Sequence, residues 1–212
     1  MGVPNLELLK YLSENFSINT FIETGSGHGS TVKEALAIFS EVYTVELSEE
    51  LYKEVVSTYG DKAHCEFGDS KSFLENILPD LLEEPILFWL DAHWSMGPTA
   101  WKENQCPLLD ELEMINRREG NDDFIFIDDA HTFFSPAVLK PPYDVDNWPR
   151  ITEIFDVLHV KDRYTVILAS WQYRSGKHSG IVMPENAIIS VPHYAEEKFI
   201  EWMKQFKLEC PA

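Results

Sequence analysis

Two short apolar runs in this chain end in the same three residues. Ile86-Leu87-Phe88-Trp89-Leu90 leads into Asp91-Ala92-His93, and Phe124-Ile125-Phe126-Ile127 leads into Asp128-Asp129-Ala130-His131. Runs this short and apolar, with helix-like segments between them, read as buried parallel strands. Ligands of open α/β sheets bind just beyond the carboxyl ends of strands, so two neighbouring ends of this kind make a reactive cleft. Asp91, Asp128 and Asp129 converging there would repel one another strongly unless a cation neutralised them. Oxygen ligation with open positions suits Mg²⁺, Mn²⁺ or Ca²⁺ rather than zinc. The alternative is that Asp91 orients a substrate or a cofactor amine, while Asp128 and Asp129 cap the next segment. His93 and His131 close the two ends; one of the pair is read as packing or hydrogen-bonding only, with His93 favoured as a base and His131 as its support.

A second constellation precedes these. Glu23-Thr24-Gly25-Ser26-Gly27-His28-Gly29 sets glycines at alternating positions between a strand and a helix beginning near Ser30. Glycine there permits a tight turn and close backbone approach to a ligand, and the helix start favours an anionic group. The spacing is not the Gly-x-Gly-x-x-Gly of dinucleotide-binding loops, because the third glycine arrives one residue early. Glu23 would repel a pyrophosphate and would suit a cationic amine. Glu46, closing the next strand, can accept two hydrogen bonds from a ribose diol. Asp69, after a third strand, can meet an adenine amino group. Taken singly, Glu46 and Asp69 read as solvated loop acids or helix caps; with the glycine loop they outline a nucleoside pocket.

The elements that must carry these residues follow from periodicity. Leu6, Leu8, Leu9, Tyr11 and Leu12 suggest an opening helix, and Thr20–Glu23 a first strand. Ser30 or Thr31 is placed to cap a helix running to about Phe39, and Val42–Glu46 is a second strand. Ser48-Glu49-Glu50 opens the next helix with acids that suit its dipole. Ala63–Phe67 is a weaker strand, followed by a helix near Lys71–Leu78. Ile86–Leu90, a helix from Pro107 to Arg118, and Phe124–Ile127 continue the alternation. Residues 133–149 are rich in proline and aromatics without periodicity, and with residues 94–105 they are candidate substrate lids. A helix near Ile151–Leu158 comes next. Tyr164–Ser170 and Gly180–Met183 have no helix between them and suggest a hairpin, hence an antiparallel edge. Glu196–Lys207 is a terminal helix. The expected fold is α/β: a doubly wound, mostly parallel seven-stranded sheet in one domain over 1–212, with an antiparallel hairpin at its C-terminal edge.

Bulk properties narrow the partners. At 212 residues, with 44% hydrophobic and 25% charged residues, the chain supports one substantial core. A formal charge of −19 repels phosphate backbones and anionic lipid, so nucleic-acid and membrane partners are not expected. The same charge suits metal ions and cationic or neutral small molecules. Cys65, Cys106 and Cys210 form no Cys-x-x-Cys, which fits a reducing compartment and argues against a disulfide framework. Met1–Tyr11 lacks the pattern of a signal peptide, and no stretch approaches about 20 apolar residues, so a cytoplasmic location is expected. Nothing in the sequence indicates the oligomeric state.

Taken together, Glu23-x-Gly25-x-Gly27-x-Gly29, Glu46, Gly68-Asp69-Ser70 and Asp91 resemble the successive motifs of class I S-adenosylmethionine-dependent methyltransferases. The resemblance covers nearly the whole chain and is more specific for cofactor than for substrate. It implies that Glu23, Thr24, Gly25, Ser26, Gly27, Gly29 and Ser30 hold the methionine end of the cofactor. Glu46 would hold the ribose, Asp69 and Ser70 the adenine, and Asp91 would face the same pocket. A narrower similarity is to the metal-dependent macrocin-type sugar O-methyltransferases, whose Mg²⁺ ligands match Asp91, Asp128 and Asp129. That pattern has an acid two residues after its first ligand, where this chain has His93. The implied reaction is metal-assisted O-methylation of a small-molecule hydroxyl, in a sugar or other vicinal diol, with Asp91 and His93 as catalytic residues. The alternatives are a metal-independent N- or O-methyltransferase with His93 as base, and a catalytically silent cofactor-binding regulator. A nicotinamide enzyme is disfavoured by the glycine spacing.

Overall fold

In the computed structural model, which describes residues 6–81, 85–94, 104–119, 122–134, 143–168 and 187–205, seven strands share one sheet. They are β1 (Thr20–Thr24), β2 (Glu41–Glu46), β3 (His64–Phe67), β4 (Ile86–Leu90), β5 (Phe124–Ile127), β6 (Arg163–Leu168) and β7 (Ala187–Pro192), in the order β3-β2-β1-β4-β5-β7-β6. The first five pair in parallel, and β7 runs antiparallel to both β5 and β6. Every residue of β1, β4, β5 and β7 is buried, and in the central β4 and β5 the sequence is accordingly a continuous apolar run rather than an alternating one.

Each strand feeds two cores, because successive side chains point to opposite faces. Phe21, Leu87, Trp89, Phe124 and Phe126 pack with Leu8 and Leu12 of α1 (Leu6–Phe16), Val32 of α2 (Ser30–Ala35), Val55 of α3 (Glu49–Tyr59) and Phe199 of α8 (Glu196–Gln205). Ile22, Phe88, Leu90, Ile125 and Ile127 pack with Phe73 of α4 (Ser70–Ile77), Leu112 of α5 (Leu108–Asn116) and Ile154 of α7 (Ile151–Leu158). Helices therefore cover both faces, as expected for a doubly wound sheet.

Three expectations need revision. The antiparallel partner of β6 is Ala187–Pro192; the proposed strand at Gly180–Met183 lies outside the described residues. The helix after the glycine loop ends at Ala35, and its N-cap is Gly29 in a left-handed conformation rather than Ser30 or Thr31. Residues 133–149 are not uniformly irregular: His131–Phe134 forms one helical turn (α6), and Val145–Asn147 a 3-10 turn. Residues 95–103 and 135–142 of the proposed lids lie outside the described set. Among the described residues, no helix is long and apolar enough to cross a membrane.

The register matters most for function. Thr24 stands opposite both Val45 and Leu90, and Leu90 opposite Ile127. The residues that follow, Gly25, Glu46, Asp91 and Asp128, therefore emerge in one row. The ladder carries past the strand ends, with the amide of Gly25 donating to Val45 O (3.0 Å), that of Asp91 to Thr24 O (3.0 Å) and that of Asp128 to Leu90 O (3.1 Å).

Candidate active site

The glycine loop passes directly over the end of β4. Gly25 has φ +82°, and a Cβ there would stand 2.4 Å from the carbonyl oxygen of Asp91, so both conformation and space demand glycine. Gly27 and Gly29 also have positive φ. The loop amides turn back to β2: Ser26 N–H donates to Val45 O at 3.2 Å, and Gly27 N–H to Glu46 Oε2 at 2.9 Å. Glu46 Oε1 accepts the amide of Ser48 at 2.8 Å. Each Glu46 oxygen keeps a second lone pair for a diol. The amides of Gly25, Ser26 and Gly27 are engaged within the protein, which is not the geometry of a phosphate cradle.

Glu23 lies beneath the loop, almost wholly buried, and accepts a hydrogen bond from the Thr44 hydroxyl at 3.0 Å. Burial drives its carboxyl up to about 7; the hydroxyls of Thr44 and Thr31 pull it down, and the charge of Glu46 pushes it further up. Asp69 caps α4, its Oδ1 accepting the amide of Ser72 at 2.9 Å. Ser70 is buried at the start of that helix, whereas Ser30, at the start of α2, is exposed. Among the described residues the Ser26 hydroxyl is buried without a hydrogen-bonding partner, while those of Thr24 and Ser70 face the Glu111 carboxyl. Orphaned polar atoms at a site are satisfied by a ligand or water.

The structure brings both Asp-Ala-His ends together. His93 Nε2 donates to Asp129 Oδ2 at 3.0 Å, and its Nδ1 stands 3.5 Å from Asp91 Oδ1. Burial alone would push this imidazole down, but the Asp129 hydrogen bond and the charges of Asp91, Asp129 and Asp128 outweigh it and leave His93 at about 8. Asp91 is held well above the usual carboxylate range by burial and by Asp128, Glu23 and Asp129, with His93 opposing. Asp129 shifts the other way: the proton and charge of His93 overcome its burial. Asp129 also adopts φ +52°, a left-handed conformation uncommon for a non-glycine residue and a recurrent mark of functional sites. His131 is exposed, 3.8 Å from Asp129, and lies at the rim.

Asp91 and Asp129 both face His93, an arrangement that lends no support to the expected divalent ion. The imidazole of His93 stands between Asp91 and Asp129 and, when protonated, offsets their charge. Among the described residues, no three His, Cys, Asp or Glu side chains are arranged to hold a metal.

Sequence reasoning missed two residues. Glu111 is buried beside a small cavity that His93 also lines, with apolar side chains such as Leu90, Ile127 and Phe133 around it. Burial raises its carboxyl to about 7. The Ser70 and Thr24 hydroxyls are near enough to lower it, yet neither reaches hydrogen-bonding geometry. A signal existed: with Leu108, Leu112 and Ile115, Glu111 sits inside the apolar stripe of α5, where an acid is out of place. The other is Gln105, buried between two loops, whose position before Cys106-Pro107 gives no such warning.

The sheet order, the antiparallel C-terminal strands and the helices on both faces define a Rossmann-like methyltransferase fold. Solved structures share it. An O-methyltransferase from Bacillus cereus, in complex with SAH, superposes with a TM-score of 0.59 at 14% identity, covering 88% of this chain and 80% of its own. The O-methyltransferase TomG from Streptomyces achromogenes, involved in tomaymycin synthesis and bound to SAM, gives 0.56 at 10% identity over 88% and 78%. A precorrin-6y C5,15-methyltransferase from Geobacter metallireducens gives 0.53 at 11% identity over 88% and 87%. Neither a protein-family model nor a curated protein matches the sequence. At these identities the likeness establishes the fold, and fold alone does not choose an acceptor.

Proposed function

We propose that this chain is an S-adenosylmethionine-dependent methyltransferase that methylates a hydroxyl group of a small molecule, using His93 as general base. The observation that carries the reading is the seating of Gly25 on the Asp91 carbonyl, which joins the cofactor-type loop to the strand end bearing the reactive pair. The orphaned hydroxyl of Ser26 and the buried acid Glu23 suit a ligand rich in N–H donors and positive charge. Glu23 and the loop would hold its methionine end, Glu46 its ribose, and Asp69 with Ser70 its adenine. When bound, S-adenosylmethionine supplies an electrophilic methyl group.

The chain's own task is to orient the acceptor and take its proton. An ionised Asp129 accepts only, so it places the His93 proton on Nε2 and leaves Nδ1 to act as base. The longer Nδ1–Asp91 contact is the one an acceptor hydroxyl would displace. A base at about 8 is matched to proton removal near neutral pH, an effect commonly worth about 10²–10⁴-fold in rate.

Calorimetry with SAM and SAH, and radiolabelled methyl transfer to a panel of sugars, phenols and alcohols, test the proposal. Binding of both nucleosides is expected, with turnover unchanged by exhaustive chelation and reduced at least a hundredfold in His93→Gln. Turnover abolished by chelation and restored by Mg²⁺ would overturn the metal-independent reading; absence of SAM binding would overturn the cofactor.

A further inference from the structure

Residues 94 and 105 bracket one flank of the site, and residues 143–148 another. Gln105 joins them. Its side-chain oxygen accepts the indole N–H of Trp148 at 3.2 Å and the amide of Asp144 at 2.8 Å, while its backbone oxygen accepts the amide of Trp94 at 2.8 Å. Gln105 is 1% exposed and Trp148 5% exposed, so these bonds lie inside the protein and cost most when left unmade. Trp148 in turn meets the His93 ring edge to face, with centroids 5.5 Å apart and planes at 62°. Tyr143 packs on both Trp148 (5.7 Å) and Trp94 (5.2 Å), and Phe133 lies 6.0 Å from Trp148.

The geometry points to Gln105 as a positioning residue for His93, acting through Trp148. Two carboxylates bind the edges of the imidazole but leave its tilt free about the line joining them. A ring packed edge to face removes that freedom, and the indole hydrogen bond to Gln105 fixes the packed ring itself. The same oxygen holds the Asp144 amide, so one acceptor atom sets the position of the loop and of the ring it carries. Orientation of this kind governs how well a base meets its proton. The inference deepens the proposed role of His93 and rests on it for its catalytic meaning.

The test uses the full chain labelled with ¹⁵N in tryptophan and histidine. Trp148→Phe assigns the Trp148 indole signal and His93→Gln the His93 ring signals. In the wild type the Trp148 indole proton is expected to be protected from solvent exchange. Gln105→Met, which keeps volume but removes the acceptor oxygen, is expected to speed that exchange at least tenfold and to move the His93 ring signals. Gln105→Glu, which keeps an oxygen in place, is expected to restore both; should its buried charge unfold it, Trp148→Phe must still shift the His93 signals. A folded Gln105→Met protein with wild-type indole exchange, or with unmoved His93 signals, overturns the inference. SAH calorimetry on the wild type separates this from the cofactor reading, since failure to bind SAH leaves the tryptophan and histidine results intact.

Discussion

At the residue scale, two acids behave unusually because of where they sit. Glu23, at about 7, binds a proton at mildly acid pH that a cationic ligand would displace. Its pKa is raised in the free protein, so ionising it to meet a cation costs free energy below 7 and none above. The affinity for SAH is therefore expected to rise up to about tenfold per pH unit below 7 and to level off above it. Calorimetry across that range, repeated on Glu23→Gln, checks this, and the variant should lose the slope. The second acid is Asp129. Asparagine tolerates its left-handed φ, so Asp129→Asn removes charge with little backbone strain. The His93 pKa should then fall from about 8 by roughly one unit or more, as read by NMR titration. The meeting of Asp91, His93 and Asp129 was legible because each closes a strand run. The charge balance within it was not: a sequence counts three carboxylates, whereas only coordinates show an imidazole standing between two of them. Gln105 stays hidden because a lone polar residue in a loop names no partner, whereas the place of Glu111 in the apolar stripe of α5 was a legible signal.

At the element scale, strands β4 and β5 and helix α7 have the bounds read from sequence, since each is an uninterrupted apolar or amphipathic run with polar flanks. β7 is Ala187–Pro192 and not Gly180–Met183: two short apolar runs flank Pro184-Glu185-Asn186, and periodicity alone does not choose between them. What anchors it is equally invisible in sequence. Arg163 on β6 donates from Nε to the Ser190 hydroxyl at 3.0 Å and from its guanidinium to the carbonyl of Asp123. Asp123 accepts the Ile86 amide (3.1 Å) and Arg118 Nε (2.9 Å). This network clamps β4, β5, β6 and β7 at the end of the sheet opposite the site. Asp123→Ala leaves Arg118 buried without its carboxylate, and a loss of about 3–5 kcal/mol is expected by urea denaturation. A loss below about 1 kcal/mol would mean that water reaches the arginines.

At the scale of the whole molecule, the charge of −19 argues against polyanion partners. No shift of a double-stranded DNA or RNA probe is expected in gel electrophoresis at about 0.15 M salt, and a salt-sensitive complex would contradict this. The sheet order carries a consequence of a different kind. β5, four wholly apolar residues, pairs on one side with β4 and on the other only with β7, which lies some sixty residues later. A ribosome adding about 5–20 residues per second leaves that edge open for several seconds of every synthesis. Chains cut short before Ala187 are therefore expected to aggregate through Phe124–Ile127, which light scattering on a truncated chain would check.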